Sequence, residues 1–156
     1  MSTAAQPSLK RASGALLLAV PLLLCLEAQT GSAATDSASS AAKWPTDEVL
    51  RRGMAAIRKA TLDSHTLVTH RRMPPNDARK FAVVVKGHVD GIRGATKVPA
   101  AAQPALAALL DDIGAGAEAV AGRSPTLTPI DGMVTIDEAL ARYPREFDDP
   151  LWMPLR

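Results

Sequence analysis

The chain has 156 residues, 18 Lys+Arg against 16 Asp+Glu, and a formal net charge of +2. Hydrophobic residues at 47% and charged residues at 22% are the proportions of a globular protein, which excludes disorder along its whole length. Aromatics reach only 3% and there is a single cysteine, which excludes a disulfide scaffold, a cysteine-based zinc site and an aromatic platform for nucleic acid as organising principles.

Lys10 and Arg11 precede an apolar run from Ala15 to Leu26, interrupted only by Pro21. Its 12 residues fall short of the roughly 20 that a helix needs to cross a bilayer. A polar stretch from Glu27 follows, with small residues at Ser32 and Ala34. Basic region, short apolar region and small-residue pair are the three parts of a secretory signal peptide. Cleavage is expected after Ala34, with Ala33 as the near alternative. An uncleaved anchor is the competing reading. A lipoprotein built on Cys25 is another, but Leu24 stands where a small residue is required. The chain therefore divides into a signal peptide (1–34), a small, polar, disordered lead-in (35–44) and a folded domain (45–156). Past Ala34 there are 122 residues, 16 basic and 15 acidic, and no cysteine, so stability has to come from packing.

Helix 1 is expected to start on Thr46 as N-cap, with Asp47 and Glu48 in the first turn, where the helix dipole favours anions. Leu50, Met54, Ile57, Thr61, Ser64 and Val68 recur at helical spacing and form one seam. Arg71 and Arg72 close it, and Met73-Pro74-Pro75 ends it. Helix 2 runs from about Pro75 to Gly94, burying Ala78, Phe81, Val85, His88 and Ile92. Helix 3 is placed from Gln103, because Pro104 fits only a first turn. Leu106, Leu109, Leu110, Ile113, Ala117 and Val120 face inward, and Gly122 ends it. Helix 4 opens on Thr128 as N-cap, Pro129 at the first position and Asp131 as a capping-box partner. Ile130, Met133, Ile136 or Asp137, Leu140 and Tyr143 turn inward, and Pro144 is read as its stop. The aromatic tail, Phe147 and Trp152, is expected to fold back over the bundle's end. No segment alternates at period two. The fold class is all-α, an antiparallel up-down-up-down four-helix bundle with a C-terminal aromatic tail.

Residues 45–98 carry a net charge of +6 and residues 99–156 a net charge of −5. The plain reading of this split is intramolecular pairing and solvated faces. The sharper reading is a basic face on helix 1, formed by Arg51, Arg52, Arg58 and Lys59, that meets a periplasmic protein or an anionic membrane surface. Near-neutrality and export exclude nucleic acid as the partner.

Metal or haem carriage is the alternative function. His65 and His70 are five residues apart, which turns them about 140° from each other on a helix. A site would therefore need a second helix, and Met54, His65 and His88 are its candidate ligands. There is no C-x-x-C-H for covalent haem. Met54 suits the first axial position of a cytochrome b562-like site, but helix 4 has no histidine. No cofactor is therefore expected. Asp63-Ser64-His65 are consecutive, so their side chains diverge and form no relay, and no catalytic residue is assigned.

Lys97-Val98-Pro99, the segment Leu106 to Val120 ending Ala115-Gly116-Ala117-Glu118-Ala119-Val120, and the tail Tyr143-Pro144-Arg145-Glu146-Phe147-Asp148-Asp149-Pro150-Leu151-Trp152 carry a resemblance. Over residues 75–155 the chain resembles a family of small uncharacterised periplasmic helical-bundle proteins of Gram-negative bacteria, sometimes labelled DnrO protein. Its tail is similar to that family's Y-G-R-H-F-D-H-P-x-W, with Pro144, Glu146 and Asp149 replacing the glycine and both histidines. The resemblance implies a signal peptide and a cytochrome b562-like bundle; it supplies no activity and no catalytic residues. The expectation is thus an exported, periplasmic, non-catalytic binding or accessory protein.

Overall fold

The computed structural model describes residues 42–155. The signal peptide, the cleavage point at Ala34 and residues 35–41 of the lead-in lie outside them. The element order is β1 (Trp44–Pro45), α1 (Glu48–Thr69), α2 (Pro75–Ala95), a 3₁₀ turn (Ala100–Ala102), α3 (Gln103–Val120), α4 (Pro129–Glu146) and β2 (Phe147–Asp148). The four helices pack as a bundle, each against the next, and α4 returns to α1. Gly53 in the second turn of α1 abuts Ile92 near the end of α2, and Gly116 late in α3 meets Gly132 early in α4.

The seam predicted for α1 is buried at Leu50, Met54, Ile57, Thr61 and Val68, and Ser64 lies at its margin. Thr61 is the one buried polar residue among those described, and its hydroxyl donates to Ile57 O at 2.9 Å. The N-cap is Asp47 rather than Thr46: its carboxylate accepts from Leu50 N–H at 2.7 Å. The Thr46 hydroxyl is drawn away, donating to Asp148 O at 2.6 Å beside the β1–β2 pair. Helix α2 buries Ala78, Phe81, Ala82, Val85, Val89 and Ile92. Val89 takes the place expected of His88, which is only half-buried. The two differ by about 100° around the helix, and the apolar neighbour turns inward because burying an imidazole without partners is costly.

The start of α3 at Gln103 and the capping box of α4 agree with the sequence reading. Thr128 Oγ1 accepts from Asp131 N–H, and the Asp131 carboxylate accepts from Thr128 N–H at 3.0 Å. The α3–α4 crossing is close. A Cβ on Gly116 would stand 2.6 Å from Gly132 O, and one on Gly132 would stand 2.5 Å from Gly116 O. Neither position can accept a side chain without separating the helices. Helix α4 does not stop at Pro144 but runs to Glu146. Pro144 withholds one N–H in the last turn, yet Phe147 N–H still bonds Tyr143 O, and the fully buried Phe147 ring holds the chain on course.

The tail folds back as expected. Tyr143 stacks on Phe147 at 5.5 Å between centroids, and Trp152 meets Tyr143 edge-on at 4.7 Å. The small parallel pairing of Trp44–Pro45 with Phe147–Asp148 was not legible in the sequence. Two-residue strands carry no period of their own.

Candidate functional site

The termini of all four helices converge at the end of the bundle away from the aromatic tail. Helices α1 and α3 stop there with the same turn. After α1, Arg71 N–H bonds Val68 O at 2.9 Å and Arg72 N–H bonds Leu67 O at 2.7 Å. After α3, Gly122 N–H bonds Ala119 O and Arg123 N–H bonds Glu118 O, both at 2.9 Å. This double bond pattern requires a left-handed residue just past the cap. Gly122 supplies it at φ 72°, but in α1 the position is taken by Arg71 at φ 55°. Helices α2 and α4 start at this end, each with a proline in the first turn that fixes the entering chain.

These turns leave a cleft of about 440 Å³ between the helix ends. Val68, Met73, Ala78, Val120 and Ile130 supply its apolar wall, with Thr128 and Arg71 as polar members. Arg71 is the one charged residue among the described lining residues. The Thr128 hydroxyl is already engaged with the Asp131 carboxylate at 2.7 Å, and the Asp131 carboxyl is held below its ordinary range by that bond and by Thr128 N–H. A concave, mostly apolar site with a few polar groups is the form in which small molecules are bound.

The metal-ligand candidates are placed apart. Met54 is fully buried in the core. His65 stands three turns further along α1, about 16 Å on at the rise of a helix, so the two cannot share an ion. His65 Nε2 lies 3.1 Å from Asp137 Oδ2 on α4. Burial pushes the Asp137 carboxyl up, the charge of His65 and its hydrogen bond pull the other way, and burial prevails. Asp137 Oδ1 is buried without a partner among the described residues. His88 lies half-buried on α2. The His65–Asp137 pair was missed because the inward register of α4 left Ile136 and Asp137 undecided, and a pairing partner 72 residues away leaves no local signal.

The basic residues of α1 are largely committed within the domain. Arg51 donates to Thr46 O at 2.8 Å and to Glu48 at 3.3 Å; Arg52 reaches the other Glu48 oxygen at 2.9 Å. Lys59 pairs with Asp63 at 2.6 Å, and Arg58 donates to Pro154 O at 3.2 Å, joining α1 to the tail. Arg52 and Lys59 point to solvent; Arg51 and Arg58 are half-buried.

Arg71 was read in the sequence only as a charge closing helix 1. The signal that could have marked it is the comparison with Gly122: two helix ends of similar build, one with the residue such a turn prefers and one with an arginine. Compared with protein-family models, with curated proteins and with solved structures, the chain matches none of them.

Proposed function

We propose that the protein is an exported, periplasmic, non-catalytic binding protein whose ligand site is the cleft between the helix ends. The observation that carries this reading is the cleft itself: about 440 Å³ of apolar-walled space in a bundle whose core elsewhere is filled by Leu, Ile, Val, Met and aromatic side chains. Its size lies within the range of small-molecule sites. Export is supported by Lys10, Arg11, the short apolar run and the small residues before Thr35. The commitment of Arg51, Arg52, Arg58 and Lys59 to neighbours within the domain makes the basic face of α1 the lesser candidate for partner contact.

Methyl NMR tests the site. Octanol titrated into the protein is expected to shift the methyl signals of Val68, Val120 and Ile130 and to leave those of Val85 in place. Shifts spread over the surface, or none, would remove the cleft as a binding site. Mass spectrometry of the periplasmic fraction tests export, with Thr35 expected as the first residue; recovery of the intact chain in the cytosol would overturn it.

A further inference from the structure

We infer that the ligand of this cleft is an alkyl carboxylate, whose chain lies against the apolar wall and whose head is received by the Arg71 guanidinium. The inference rests on the cleft being a binding site and adds the chemistry of what enters it.

Three observations combine. Arg71 is the single charge on the lining, and no carboxylate among the described residues lines the cleft with it. Its guanidinium has no hydrogen-bond or ion-pair partner among the described residues, a state it shares with Arg72 and Arg145, but of these only Arg71 lines the cleft; Arg93, Arg123 and Arg142 are tied to Asp111, Glu118 and Asp112. An arginine without a protein acceptor offers a planar pair of N–H donors that matches a carboxylate two-to-two. The head group stays at the mouth, because Arg71 is exposed, so neither charge has to leave water completely.

The backbone gives a third, independent reason. The turn after α1 calls for a left-handed residue, and Gly122 shows the same turn made without a Cβ. Arginine at φ 55° works against that preference, so the turn itself does not account for the side chain. The lining residues Val68, Met73, Ala78, Val120 and Ile130 offer contact to a hydrocarbon chain and no further polar anchor besides the engaged Thr128.

The test compares octanoate with octanol, equal in chain length and different in head group, by isothermal titration of the full protein. Octanoate is expected to bind the unaltered protein roughly tenfold more tightly than octanol, the difference a charge-assisted pair provides. Arg71→Gly should reduce octanoate to the level of octanol and leave the thermal midpoint equal or higher. Arg71→Lys should retain part of the preference, and Arg72→Ala all of it. Equal binding of both probes, or a preference that survives Arg71→Gly, would overturn the carboxylate assignment while leaving the cleft intact as a site. Failure of both probes to bind would overturn the assignment together with the cleft reading beneath it.

Discussion

At the end where α1 begins and α4 finishes, the chain seals itself. β1 pairs with β2, Tyr143, Phe147 and Trp152 stack, and Asp47 accepts from Thr96 Oγ1 at 3.0 Å and from Lys97 N–H, joining the first helix to the segment after the second. At the other end α1 and α3 stop on tight turns, no aromatic side chain lines the space among the described residues, and a cleft remains. The same four helices thus have one end closed by the chain's own segments and one end that keeps a cleft. A core residue tolerates little change, whereas a residue at an open rim can be chosen for its side chain.

Substitutions at the two ends should differ in size accordingly. Phe147→Ala is expected to cost about 3–5 kcal/mol, because it removes a fully buried ring from the sealed end; urea titration checks it, and a loss under 1 kcal/mol would mean that the tail does not hold the bundle. Asp47→Ala should cost about 1–2 kcal/mol, as loss of an N-cap with two further hydrogen bonds.

That variant should also change the acid limb of the stability curve. Burial works against the ionised Asp47, but the N–H groups of Lys97 and Leu50, the Thr96 hydroxyl and the charge of Arg51 outweigh it and hold the carboxyl below its ordinary value of 3.8. The stability from this group is therefore present above pH 3.8 and is lost as the pH falls through the lower folded value. The Asp47→Ala chain should show a shallower decline there in denaturant titrations at stepped pH.

At the open end, Gly122→Ala should cost about 1 kcal/mol through its left-handed backbone, since a Cβ there meets nothing within 4 Å. It measures independently the strain that Arg71 carries in the matching turn. Asp137→Asn should have the smallest effect. It removes a carboxylate whose charge burial disfavours and keeps a hydrogen-bonding group opposite His65. The raised folded pKa means that ionisation weakens the fold as the pH rises, so the variant should equal or exceed the parent at pH 7. The gain should fade as the pH drops below the ordinary carboxyl value of 3.8, where the group is protonated in both folded and unfolded chains; thermal scans stepped from pH 7 downward decide it.

Much of the architecture could be read from local pattern alone. Leu50, Met54, Ile57 and Val68, or Leu106, Leu109, Leu110 and Ile113, announce a helix with one apolar face wherever they occur, because 3.6 residues per turn is a property of the backbone. Thr128, Pro129 and Asp131 announce a start for the same reason: their bonds close within four residues. The misreadings share a cause. Thr46 and Asp47 are both competent caps, and the choice fell to Asp148, 102 residues away from Thr46. His88 and Val89 are neighbours, and the packing of α2 in the bundle decided which turned inward. Pro144 stayed inside α4 because Phe147 is anchored beyond it.

Sequence therefore determined the four helices, the capping box of α4 and most of each apolar stripe, all of which depend on interactions within a few residues. Tertiary structure alone decided the β1–β2 pairing, the choice of Asp47 over Thr46 as cap, the His65–Asp137 pair and the cleft. A concavity is the space left between segments distant along the chain, and no single segment contains it.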